Sequence, residues 1–147
     1  MDDESEERVI VTEDDFKIDD LKEKVISEKD GAVSVFNGLV RNKNKGQKIK
    51  KLELQRYEGM TEDELEKVRD EAVNNFKVND VLLLHRYGEL DIGDNIVGIV
   101  VTASHREPAF EACRYCIDRI KEKVPLWKKE TPEGGEARWL GEEKEEG

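Results

Sequence analysis

A chain of 147 residues, 41% of them charged and with a net charge of −11, is long enough to bury a hydrophobic core but holds no apolar run that could span a membrane. It opens on Met1-Asp2-Asp3-Glu4, unlike a secretory leader, and its two cysteines make no disulfide framework, so a soluble, cytoplasmic protein is expected. The acidity sits at the ends: residues 1–30 hold 13 acids against 5 bases and residues 130–147 hold 7 against 2, which leaves 18 bases and 16 acids between them. Within that middle, residues 41–51 carry six bases and no acid, and residues 119–129 carry five bases and one acid. Such patches suit a small anion and are too short for a nucleic-acid footprint.

In chain order, residues 1–7 read as an acidic disordered N-terminus, residues 8–140 as one domain and residues 141–147 as a charged tail. Val9-Ile10-Val11 is a short strand. Ile18, Leu21 and Val25 recur at helical spacing, with Asp30-Gly31 as a stop. Residues 31–41, rich in Val and Phe, form a strand, and Gly38 within it marks a bulge or a close backbone approach. A Lys/Asn/Gly loop over 42–47 leads to residues 49–57, read as the antiparallel partner of that strand. Thr61-Glu62-Asp63-Glu64 has the form of a capping box, ahead of a helix whose stripe is Leu65, Val68, Ala72 and Phe76. A strand begins at Val81 and continues to Glu89. After the Asp91-Ile92-Gly93-Asp94 turn, residues 96–103 are apolar on both faces and predict a central, covered strand. The last helix places Phe110, Cys113, Ile117, Ile120 and Val124 on one side and ends at Pro125. Hairpin strands with helices between the pairs predict an α+β fold with a mostly antiparallel sheet. Cys113 and Cys116 fall mid-helix on the apolar stripe, where they read as buried small hydrophobes rather than a redox or zinc pair.

The candidate chemistry is cationic. His105 and Arg106 lie at the start of the last helix, with the N-terminus set either by Ser104 and Glu107 as a capping box or by Pro108 as first helical residue. Exposed N–H groups and the helix dipole favour an anion there, and the Arg106 fork suits phosphate or carboxylate. The competing reading is a structural histidine beside a surface arginine. At the other end, Lys121 and Lys128 flank Pro125 and Trp127. Sheltered near other cations, Lys121 would have a lowered pKa and could act as base or nucleophile; solvated, it would only complement the helix dipole. Arg41 closes its strand as either an anion ligand or part of a charged edge, and His85 reads as structural.

Gly38-Leu39-Val40-Arg41, Tyr57-Glu58-Gly59-Met60, His85-Arg86-Tyr87-Gly88-Glu89-Leu90, Ser104-His105-Arg106, Ala109-Phe110-Glu111-Ala112 and Pro125-Leu126-Trp127-Lys128-Lys129, in this order and spacing, resemble the large, catalytic subunit of molybdopterin synthase, the MoaE family. The resemblance covers roughly residues 31–129 and departs at Leu126, where the family commonly has Phe. It implies a hammerhead-type fold and a sulfurtransferase that works without a metal or cofactor. The substrate would be cyclic pyranopterin monophosphate, and sulfur would come from the thiocarboxylate on the C-terminal Gly-Gly of a small ubiquitin-like subunit. It further implies Lys121 as main catalytic residue and Lys128 as the group holding substrate or thiocarboxylate. Arg41, His105 and Arg106 would bind the pterin and its phosphate, and Phe36 would line the pocket.

Helix length adds an inference of its own. His105 and Lys121 are sixteen residues apart, about 24 Å along a helix, too far to touch one small substrate in the same chain. If both serve one site, two chains related by a twofold axis supply it, and a homodimer within a heterotetramer is expected. The competing functions are a non-enzymatic module binding a phosphometabolite or an acidic tail, and a scaffold whose basic patches dock an acidic protein.

Overall fold

The structure, a computed structural model, describes residues 7–140. All but Glu7 of the expected acidic N-terminus, and the whole expected tail from residue 141, lie outside the described residues. Two sheets organise the rest. The first contains β1 (Val9–Thr12), β2 (Ala32–Leu39), β5 (Asp80–Arg86) and β7 (Asn95–Ala103) in the order β1-β5-β7-β2, antiparallel except for the β1–β5 pair. The second is centred on β4 (Gln47–Arg56). It forms a hairpin with β3 (Lys43–Asn44), pairs with β6 (Gly88–Asp91) along one side and with β8 (Leu126–Pro132) along the other, and β9 (Arg138–Trp139) continues beyond β8.

Helices cover both faces of the first sheet. On one, α1 (Ile18–Val25) packs Leu21 and Val25 against Leu82, Leu84 and Val100. On the other, α2 (Met60–Asn75) and α3 (Arg106–Lys123) bring Leu65, Val68, Ala72, Ala112, Cys113, Cys116 and Ile120 onto Val81, Leu83, Ile99 and Val101. Successive side chains of β5 and β7 serve opposite faces, and with both faces covered the strands read as continuous apolar runs. Each fully buried Leu, Ile or Val contributes roughly 1.5–3 kcal/mol. A smaller cluster, Val40, Leu52, Leu54 and Leu90, forms the inner face of the second sheet.

β7 is the central, covered strand its composition predicts, and Gly38 does mark an irregularity: the β2–β7 register shifts there, and a Cβ at Gly38 would stand 2.7 Å from Val97 Cγ1. Cys113 and Cys116 are buried in the main core, and burial raises both thiol pKa values, that of Cys116 to about 12.

Other expectations are corrected. β4 does not pair with β2. Lys45 (φ 54°) and Gly46 (φ 80°) make a two-residue turn of the kind that suits a tight hairpin, which hands β4 to β3 while β2 takes β7. The strand read from Val81 to Glu89 is two strands: Gly88, at φ 97°, turns the chain at Tyr87 so that β6 enters the second sheet. α1 ends at Val25, short of the Asp30-Gly31 stop. α2 begins at Met60 with Gly59 as its N-cap, and Glu62 Oε1 accepts the Gly59 N–H at 3.0 Å, the half of a capping box that a glycine can make. Thr61 is inside the helix. Phe110, placed on the apolar stripe of α3 by its spacing, is 63% exposed, while Ala109, Ala112 and Cys116 take the buried positions. After Pro125 the chain resumes at once as β8.

Candidate functional site

Three cations meet where the two sheets join. β2 leaves the first sheet at its bulge, and Val40 is then clamped to the Asp91–Asp94 turn: its N–H donates to Asp94 O and its carbonyl accepts from Gly93 N–H, each at 2.9 Å. That fixes the point from which Arg41 emerges. α3 ends at Lys123, with the Val124 N–H closing on Ile120 O at 3.1 Å, so Lys121 stands in its last turn. In β8, Lys128 and Glu130 are paired with Leu54 and Leu52, whose side chains are buried on the inner face of the sheet, whereas Trp127 and Lys129 alternate to the outer face.

The electrostatics report their proximity. Burial brings the Lys128 pKa down to about 8, with the charges of Lys121 and Arg41 acting in the same direction and Glu130 opposing them. Lys121 is lowered by burial, then by Arg41, against a smaller opposite effect of Asp118. Neighbouring cations and partial desolvation both disfavour an ammonium; the effect is greater at half-buried Lys128 than at Lys121, which is exposed. His85, at the end of β5, completes this corner. Burial pushes its pKa down to about 4, the 2.9 Å contact from Nδ1 to Arg86 O partly offsets this, and the Lys128 charge adds to the depression. It is therefore a neutral imidazole at pH 7. Sequence spacing carried no sign that His85 and Lys128 would be neighbours, because their strands lie in different sheets.

The corner is braced from behind. Thr61, fully buried, accepts the Tyr57 N–H at 3.0 Å and donates to Pro125 O at 2.8 Å, tying the start of α2 to the link between Lys121 and Lys128. Glu130 accepts from Asn44 Nδ2 at 2.8 Å and so anchors the β3–β4 hairpin beneath Lys128. A shallow depression of about 290 Å³ among Lys50, Lys51, Glu53, Glu89 and Lys129 lies on the outer face of the same sheet, away from the junction.

The remaining candidates stand elsewhere. His105 is the N-cap of α3 (φ −130°, ψ 154°) with no side-chain capping bond, so neither expected N-terminus, Ser104 with Glu107 or Pro108 first, is the one formed. His105 and Arg106 are exposed, and the unbroken helix separates them from Lys121 by about 24 Å. Phe36, mid-β2, is partly buried against the core beneath α3 and leans over Gly38, where a Cβ would meet its ring at 3.3 Å. One chain thus assembles Arg41, Lys121 and Lys128 and leaves His105 and Arg106 at the far end of the same helix.

Fold and site together define an α+β protein that concentrates fixed positive charge and a depressed-pKa lysine pair at the seam of two sheets, an arrangement suited to handling an anion and moving protons beside it. The MoaE protein family model matches residues 11–123, which include every candidate residue except Lys128. Molybdopterin synthase catalytic subunits from Pyrococcus abyssi and Escherichia coli K12 are 42% and 46% identical to the chain; the alignments cover 84% and 77% of it and 83% and 75% of the relatives. The crystal structure of molybdopterin synthase from Staphylococcus aureus superposes with a TM-score of 0.82 at 38% identity, covering 91% of this chain and 96% of that one. The chain belongs to the MoaE family. Among the described residues no helix is long and apolar enough to cross a membrane.

Proposed function

We propose that this chain is the catalytic subunit of a cytoplasmic molybdopterin synthase, transferring sulfur from the C-terminal thiocarboxylate of a small ubiquitin-like subunit to cyclic pyranopterin monophosphate. Family membership supports the reaction class. The observation that carries the assignment of the site is the convergence of Arg41, Lys121 and Lys128 from three elements of a chain whose net charge is −11.

In this reading the thiocarboxylate and the phosphate are the anions that the cluster receives. Lys121, its pKa lowered, takes and returns protons as the carbon–sulfur bond forms, or serves as a transient covalent partner. Lys128, more deeply buried, holds substrate or thiocarboxylate. Opening the cyclic phosphate develops negative charge that Arg41 stabilises from one chain and His105 and Arg106 from another, with Phe36 lining the pocket. The site is thereby shared across a homodimer, and two small subunits complete a heterotetramer.

The deciding experiment supplies the chain with cyclic pyranopterin monophosphate and thiocarboxylated small subunit and measures dithiolene product. Wild type should turn over, and Lys121→Ala should lower the rate by about 10²–10⁴-fold, the usual contribution of a positioned acid/base. Lack of product from wild type, or undiminished product from the variant, rejects the assignment.

A further inference from the structure

β5 buries Val81 and Leu83 on the face beneath α2 and α3, and by alternation His85 is the next side chain on that face, 6% exposed. A buried imidazole costs more than the leucine before it unless its nitrogens find partners. One does so through the backbone: Nδ1 lies 2.9 Å from Arg86 O, and since a carbonyl only accepts, Nδ1 carries the hydrogen. Nε2 is thereby left as a lone-pair acceptor. Among the described residues no hydrogen bond ends on it.

β8 brings a donor to the same floor. Leu126 packs against the main core, whose members include Val97, the cross-strand partner of His85. Lys128 is the next residue on that side of β8 and stands opposite Leu54. The Arg86 side chain takes the other face of β5, where it donates to Glu13 O and Asn95 O. Of the charged groups at the corner, Arg41 beyond β2, Lys121 on α3, and Lys128 and Glu130 on β8, Lys128 is the one whose charge acts on the imidazole.

We infer that His85 is a positioning residue for Lys128: its Nε2 accepts a hydrogen bond from the Lys128 ammonium and aims that side chain into the seam of the two sheets. A carboxylate in this place would cancel the charge of the lysine. A neutral acceptor orients it and leaves the positive charge for an anion, and it favours the charged form of Lys128 against burial. This deepens the sulfur-transfer reading, on which the role of Lys128 toward the anion rests.

Two isosteric substitutions separate the nitrogens of the ring. His85→Asn keeps a donor near Arg86 O and has nothing at the place of Nε2; His85→Gln carries an amide oxygen out to that place. In the dithiolene assay with the small subunit, His85→Asn should raise the KM for one of the two anionic substrates about 10-fold or more, the usual effect of losing a hydrogen bond to a charged group. Its kcat should stay near that of wild type, and His85→Gln should recover most of the loss. An unchanged KM in His85→Asn, equal damage from both variants, or damage from His85→Gln alone overturns the inference. A second readout needs no turnover. The sequence holds two histidines, so in long-range ¹H–¹⁵N spectra of the histidine-labelled chain His85→Asn identifies the signals of His85. The ring should stay in its Nδ1–H form while Nε2 shifts as Lys128 titrates, at about pH 8, and Lys128→Met should abolish that shift. A hydrogen on Nε2, or a shift that persists in Lys128→Met, overturns the contact. Wild type that shows this coupling but forms no product rejects sulfur transfer and leaves the contact between His85 and Lys128 standing.

Discussion

At the scale of single residues, the sequence showed which cations were available but not which would meet. Lys121 and Lys128 are close in the chain; Arg41 lies about eighty residues away and reaches them only because Val40 is clamped to the Asp94 turn. Its charge lowers both lysine pKa values. If neutral Lys121 is the working form, the rate should rise with pH through an apparent pKa below that of free lysine, and Arg41→Met should move that acid limb to higher pH, since removing a cation eases protonation. A pH–rate profile of the variant with an unmoved limb rules out lysine control. His85 makes a separate prediction. Its folded pKa, about 4, is depressed from 6.5, so the unfolded chain binds the proton first as pH falls. Stability tied to this group is complete above about 6.5 and is lost as pH falls toward 4, by about 3 kcal/mol in all. Urea denaturation across that window should show wild type losing more stability than His85→Asn; equal slopes would mean that the imidazole is not held neutral by the fold.

At the scale of elements, hydrophobic period identified the three helices and the central strand, because those signals are local. Pairing was misread where a single backbone conformation decided it: the positive φ values at Lys45 and Gly46 turned β4 away from β2, and Gly88 split one apparent strand between two sheets. β8 was missed because Pro125 reads as an end, although the chain beyond it is claimed by a partner strand 70 or more positions upstream. Gly31 shows how a local contact positions a site element. A Cβ there would stand 2.3 Å from the Ser104 carbonyl oxygen, a backbone atom that can yield only by shifting the start of α3. Gly31→Ala should cost about 1–3 kcal/mol and displace His105 and Arg106 while leaving the lysine corner in place. The expected signature is a raised KM for the phosphorylated substrate with the acid limb of the pH profile unchanged; a variant with wild-type KM would separate Ser104 packing from substrate binding.

At the scale of the whole molecule, the length of α3 is the constraint that matters most. One unbroken helix of 18 residues keeps His105 and Arg106 away from Lys121, so no rearrangement within a chain unites them without unwinding it. In the shared-site reading proposed above, a twofold partner unites them twice, and the consequence can be counted. A heterodimer of one His105→Ala chain and one Lys121→Ala chain contains one site missing both residues and one site with both intact, because the first chain still supplies Lys121 and the second still supplies His105. Co-expressed under two affinity tags and purified through both, such heterodimers should recover about half of the wild-type rate, although each variant homodimer is nearly inactive. If both residues instead served separate sites within their own chains, each heterodimer would contain two damaged sites and show no recovery above the homodimers. Product formation by the doubly tagged species, with its composition confirmed by native mass spectrometry, decides between a shared site and two private ones.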